Sequence, residues 1–259
     1  MINTFSKFYY GIAVTNTSKY FDFNEGSGEL NAEIPVGEYT LETLADAVEL
    51  ALNDAGASTY TVTVNRSTRI MTISSSGTFS VLISTGLNAG NGIYSILGIS
   101  DVSDIAAAAT CISDVAIGSS YSPQYKLQDY VSYEDMQKLR SATRNKSASG
   151  QVEVQSFGTD RMFQFSIKFA TDIYQPNGGP ITNNSSGVEN LRSFMQNAIT
   201  QAPIQFMPDA SAPSTYYDVV LESTPYDGNG LGYQLQEQYG RGLVGYFETG
   251  ILTFRILED

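Results

Sequence analysis

A chain without a single histidine must do any acid–base chemistry with carboxylates, tyrosines or amines, and this one carries 27 Asp and Glu against 14 Lys and Arg. Histidine is the side chain whose ordinary pKa lies near neutrality, so its absence removes the commonest general base, proton shuttle and transition-metal ligand together. Carboxylate pairs hydrolyse glycosides without it. Glu134 and Asp135 stand side by side next to Ser132, but Tyr133, Met136 and Leu139 around them predict the start of a short helix. Acids in a first helical turn serve as caps and dipole partners. Glu237, Glu248, Glu258 and Asp259 fall at predicted strand ends with no spacing that brings them together. The chain is therefore read as non-enzymatic, with no cofactor.

The remaining motifs have plain readings. Tyr226-Asp227-Gly228-Asn229-Gly230 begins like an oxygen-ligand calcium loop, but no third ligand follows in step, so a tight turn accounts for it. The glycine-rich stretch Gly86 to Gly92 lacks the spaced glycines and terminal Lys-Ser or Lys-Thr of a phosphate-binding loop. Cys111 has no partner cysteine in the chain, and its small apolar flanks favour a buried, inert thiol over a reactive one. A disulfide to a symmetry mate is the sharper alternative. Lys138, Arg140, Arg144 and Lys146 concentrate positive charge in one Ser- and Asn-rich segment. Two readings stand side by side for them: a solvated helix end with its loop, or a subunit-interface arm that docks on an acidic copy of the same protein or a neighbour.

Composition bounds what could position these residues. At 259 residues the chain is long enough for two ordinary domains. A hydrophobic fraction of 42% with 12% aromatic builds real cores, and a charged fraction of 16% is low for a free soluble monomer. A formal charge of -13 repels polyanions, which disfavours gripping nucleic acid but suits a wall along which DNA slides. No apolar stretch approaches the roughly twenty residues that cross a bilayer, and the first ten residues lack a signal-peptide pattern, so a soluble cytosolic product is expected.

The pattern along the chain predicts an α+β, mainly β fold in two domains, residues 1–120 and 121–259, divided near Gly118 to Gln128. In the first, the aromatic clusters Phe5, Phe8, Tyr9, Tyr10 and Tyr20, Phe21, Phe23 read as strands or as an arm packing on a neighbour. Thr40 is the expected N-cap of a helix with Leu41, Leu44, Ala45, Val48 and Leu52 on its apolar face, Asp46 and Glu49 toward solvent, and Asn53 and Gly56 at its end. Tyr60 to Val64 and Ile70 to Ile73 predict a hairpin, and Phe79, Val81 and Ile83 a further strand. The small residues Asp104 to Thr110 loosen the pattern. In the second domain Val152 and Val154 precede Phe163, Phe165, Ile167 and Phe169, which alternate with polar residues as a half-buried strand does. Gln175 to Gly187 reads as an exposed loop. Ser186 and Glu189 then form a capping box before a second helix, and Ile204, Phe206, Tyr216 to Leu221 and Ile251 to Leu257 supply more strands. The expected architecture is a strand-helix-hairpin module followed by a β-sandwich or β-barrel with one or two helices.

Several segments together resemble structural proteins of tailed bacteriophages. They are Ile34-Pro35-Val36-Gly37-Glu38-Tyr39-Thr40-Leu41, then Tyr60 to Asn65 leading to Met71-Thr72-Ile73, and Thr78-Phe79-Ser80 continuing to Ile96-Leu97-Gly98-Ile99. In the second half they are Asn190 to Phe194, Ala202 to Asp209 and Gly250 to Arg255, which resemble ring-forming tail components near the tube end or baseplate. The likeness is one of pattern across most of the chain. It implies a non-enzymatic virion subunit, assembled in the host cytoplasm, whose second half forms a ring around the tail channel while the first faces outward. Its partners would be its own copies and other tail or neck proteins, with DNA as passing cargo and no membrane. A head-to-tail neck or collar protein is the alternative in the same class. A carbohydrate-binding module, suggested by 17 tyrosines, and a histidine-free glycosidase are the competitors outside it.

Overall fold

The computed structural model describes residues 6–122, 131–139, 143–146, 152–155, 159–167, 188–228, 230–237 and 247–257. Phe5, Arg140, Phe169, Ser186 and the loop 175–187 of the sequence reading lie outside them. The fold is α+β and mainly β, as the residue pattern predicts. The chain divides into two compact units, one of Tyr9–Ser119 with Ser211–Ser214, the other of Met1–Phe8, Ser120–Ala210 and Thr215–Asp259.

Strand β1 (Lys7–Tyr10) opens the chain and is followed by β2 (Ile12–Val14), β3 (Tyr20–Asn24), β4 (Glu29–Glu33) and β5 (Gly37–Tyr39). Helix α1 (Leu41–Ala55) comes next, then β6 (Tyr60–Asn65), β7 (Ile70–Val81), β8 (Ile105–Ile112) and β9 (Ser119–Tyr121). Helix α1 starts where the sequence says it must. The Thr40 hydroxyl accepts from the Thr43 amide at 3.3 Å, and the Thr43 hydroxyl accepts from the Thr40 amide at 2.9 Å, a reciprocal capping box. Gly56 closes the helix, its amide donating to Leu52 O at 2.9 Å. Leu41, Leu44, Ala45, Val48 and Leu52 are buried in one core with Phe21, Phe23, Tyr60, Phe79 and Val81 of the sheet.

That sheet is organised around β7. The Thr72 position of β7 pairs with Thr63 of β6 and with Ile112 of β8, and Val81 pairs with Phe23 of β3 and with Ile105 of β8. Strand β8 therefore runs along one side of β7, while β6 and β3 share the other and β4 lies outside β3. Two sequence expectations change here. Phe79 and Val81 do not begin a separate strand but continue β7, which shifts register against β8 between Ser74 and Phe79. The small residues after Asp104 are not a loosening of the fold but the strand β8, held by pairing with residues 24 to 40 positions away rather than by local propensity.

The other unit adds β10 (Val131–Leu139), β11 (Thr143–Lys146), β12 (Val152–Gln155), β13 (Thr159–Ile167) and helix α2 (Val188–Ala198). It continues with β14 (Ile204–Met207), β15 (Tyr217–Ser223), β16 (Asp227–Gly228), β17 (Gly230–Leu231), β18 (Gln236–Glu237), β19 (Phe247–Glu248) and β20 (Gly250–Ile256). Seven strands make one sheet in the order β10-β13-β20-β15-β14-β1-β9. Phe163 and Phe165 face the same way, and Phe163 pairs with Phe254 of β20. The Phe8 ring sits among them, its centroid 4.7 Å from Phe206, 5.2 Å from Phe194 and 5.5 Å from both Phe165 and Phe254. Phe194 brings α2 onto this face, stacked on Tyr121 at 4.8 Å. Of the two readings of the N-terminal aromatics, strand and neighbour-packing arm, Phe8 takes the first. It is fully buried within its own chain.

One further expectation is overturned. Residues around Glu134 and Asp135 form no helix start; they belong to β10, whose Tyr133 pairs with Phe165 and whose Met136 pairs with Met162. The three-residue spacing of Tyr133, Met136 and Leu139 mimics a helix, but a strand position beside the phenylalanine face of β13 overrides it.

Candidate functional site

The basic segment singled out in the sequence lies on two strands of different sheets. Lys138 is on β10, opposite Asp160 of β13, within the seven-stranded sheet. Arg144 and Lys146 occupy alternate positions of β11, opposite Val154 and Val152 of β12. Arg140 lies outside the described residues. The helix-end reading does not hold for Lys138, Arg144 and Lys146, because both described stretches are strands. Among the described residues β11 and β12 pair with each other and with no third strand. An isolated two-stranded ribbon is marginal in water and gains stability by adding to a larger surface.

The acids act as loop clamps. Desolvation pushes Glu25 up, but the amides of Ala57 and Ser58, each at 3.0 Å, and the Tyr60 hydroxyl at 2.9 Å outweigh it and leave the carboxyl below its ordinary range. Asp104 accepts from the Thr85 hydroxyl and from the Ser84 amide at 2.7 Å, which lowers it to about 2. Asp114 is lowered by the Ser100 hydroxyl and by the Ser100 amide at 2.8 Å. Hydrogen bonds to the charged form do this. A general acid at neutral pH needs the opposite shift. Glu134 and Asp135 are consecutive positions of β10 and so fall on opposite faces of its sheet.

Other polar groups hold the frame. The Arg69 guanidinium is buried, lies 4.2 Å from the Tyr9 ring centre and donates from Nε to Ile117 O at 2.6 Å; burial lowers its pKa to about 10, so it stays charged at neutral pH. Cys111 faces the core beside Met71, Ile73, Leu97 and Ile99, and burial raises its thiol to about 11. Its burial favours the inert-thiol reading over the crosslink. In the Tyr226 to Gly230 segment, Asp227–Gly228 (β16) pairs antiparallel with Gly230–Leu231 (β17), and the Thr224 hydroxyl donates to Gly232 O at 2.5 Å; Asn229 lies outside the described residues.

The sheet of the first unit has three outer edges, and they are finished differently. Edge β4 carries charge, with Glu33 paired to Lys19 at 2.5 Å. Edge β6 is capped by α1: Asn53 Oδ1 accepts from the Tyr60 amide at 2.8 Å and its amide group donates to Tyr60 O at 3.0 Å, while the Glu49 carboxylate accepts from the Val62 amide at 2.8 Å. Glu49, expected on the solvent side, thus works at the sheet edge. Edge β8 has neither device. It carries no charge from Ile105 to Ile112, and no strand or side chain among the described residues bonds its outer side. The Ser113 amide donates to Met71 O at 2.9 Å, so the alternation of the antiparallel ladder turns the backbone groups of Ile112 and Thr110 outward. Large apolar side chains flank this edge, with Val102 86%, Ile112 60% and Val115 47% exposed. Sequence reasoning missed it, and the run of residues between Asp104 and Asp114 without charge or proline was the available signal. No protein-family model matches the chain, and no curated protein matches it.

Proposed function

We propose that the chain is a structural subunit of a tailed-bacteriophage tail. It builds a ring at the distal tail or tail-tube end through contacts with its own copies and with neighbouring tail proteins. The observation that carries this reading is the bare β8 edge beside exposed Val102, Ile112 and Val115, because a long uncharged edge left open on a monomer is an aggregation site and an edge kept for assembly is not. The phage-like segments of the sequence supply the virion context. The formal charge of -13 supports a channel that DNA crosses without sticking.

Light scattering and negative-stain microscopy of the purified chain, alone and mixed with tail proteins, test the reading. Rings or defined oligomers that grow with concentration are expected. A chain that remains monomeric at high concentration and forms no ring with tail proteins would overturn it. Co-purification with tailless heads rather than with isolated tails would move the subunit to the neck.

A further inference from the structure

We infer that the outer edge of β8 is the acceptor of a head-to-tail subunit contact, and that its occupant is the β11–β12 hairpin of a second copy of this chain. The inference deepens the reading of the chain as a self-assembling subunit and rests on it.

Four observations converge. The β8 edge is the one outer edge of its sheet that neither charge nor a capping side chain protects among the described residues, and its ladder turns Thr110 and Ile112 backbone groups outward. Such groups are satisfied by an added strand, which brings main-chain hydrogen bonds in register. The β11–β12 ribbon has the complementary need, since its two strands pair only with each other among the described residues. Charge then selects between possible occupants. Asp101, Asp104 and Asp114 bracket β8, so an antiparallel pairing of two β8 strands would set acid against acid, whereas β11 brings Arg144 and Lys146. In a chain with 27 acids and 14 bases, that segment is where the sign reverses.

Donor and acceptor are different surfaces, so the contact is heterologous. Repetition of a heterologous contact closes into a ring when its rotation divides the circle, and otherwise runs on as a filament. Alternating hydrogen bonds supply the affinity, the exposed Val102, Ile112 and Val115 supply apolar area, and the charges fix direction.

Two variants of the full chain make the test. Ala109→Lys with Ile112→Lys places positive charge on exposed positions of the acceptor edge while leaving the hairpin intact. Arg144→Glu with Lys146→Glu reverses the hairpin while leaving the edge intact. Sedimentation velocity, with circular dichroism and melting curves matched to wild type as the folding control, is expected to show self-association weakened at least tenfold in each variant alone. Mixed at equal concentration, the two are expected to form a one-to-one dimer and nothing larger, because each supplies one working surface. Wild-type association is expected to weaken as NaCl rises from about 50 to about 500 mM. If wild type assembles and both variants assemble equally well, the edge and hairpin are not the contact, and the ring reading survives without them. If the singly altered chains fail alone and the mixture stays monomeric, the contact is not β8 with this hairpin. A wild-type chain that never associates overturns both readings together.

Discussion

Phe8 comes from the opening strand yet fills the middle of the phenylalanine face, within ring contact of Phe163, Phe165, Phe194, Phe206 and Phe254. Truncating it leaves a void lined by aromatic rings that themselves belong to several strands and a helix, and such a site collapses poorly. Phe8→Ala is expected to cost about 3–5 kcal/mol, read as a lower denaturation midpoint. A change under about 1 kcal/mol would mean that the ring contacts are not made in solution. Cys111 gives a second measurement at this scale. Its thiol is buried and raised from 9.0 to about 11, so the protonated form is favoured by the fold. The stabilisation this represents is fully present below the ordinary thiol pKa and lost as pH rises through 9 to about 11. Wild-type stability relative to Cys111→Ala is therefore expected to fall across that window. At pH 8 iodoacetamide should leave the native chain unlabelled and modify it in urea, and rapid native labelling would contradict the burial.

At the scale of elements, what the sequence made legible is what is locally determined. Helix α1 could be read because Thr40, the apolar spacing from Leu41 to Leu52 and Gly56 all lie within one stretch and agree. The β6–β7 hairpin could be read for the same reason, its turn and alternation being contiguous. Strands β8 and β10 could not. Ile105 to Ile112 is a strand because β7 supplies the ladder, and Val131 to Leu139 because β13 does; both carry local patterns that point elsewhere. The basic candidates were legible as residues, but the β11–β12 ribbon that carries two of them, and the bare edge of β8, were not, since edges exist only once strands are ordered. The connection before β8 illustrates the same dependence. Gly98 adopts φ +74, and its carbonyl accepts from the amides of Asp114 and Val115, which fixes the exit of β8. A Cβ at that position would lie 2.2 Å from Val115 O. Gly98→Ala combines a left-handed backbone with that overlap, so a loss of about 2 kcal/mol or more is expected in urea denaturation. An unchanged midpoint would show that the 113–115 strap moves freely.

For the whole molecule the governing quantity is charge. The formal value of -13 spreads over a chain in which, among the described residues, the carboxylates with lowered pKa values, Glu25, Asp104 and Asp114, are all held in the ionised form by hydrogen bonds. Stability drawn from a lowered carboxyl is present above its unfolded pKa and disappears as pH falls through the folded one, so the Asp104 clamp on Ser84 and Thr85 persists from neutral pH until the window from 3.8 to about 2. The clamps at the ends of β8, Asp104 and Asp114, are thus held in the charged form at neutral pH and add to the negative field of the chain. Double-stranded DNA is a stringent probe of that field, because even weak phosphate binders take it up when counterion release is favourable at low salt. In a mobility-shift assay at about 50 mM salt, neither the free chain nor its assemblies are expected to retain DNA, and Arg144→Glu with Lys146→Glu should leave that result unchanged. Retention lost on that double substitution would make the basic hairpin a nucleic-acid grip rather than a subunit contact, and would count against the proposed reading of the chain as a channel subunit that DNA passes.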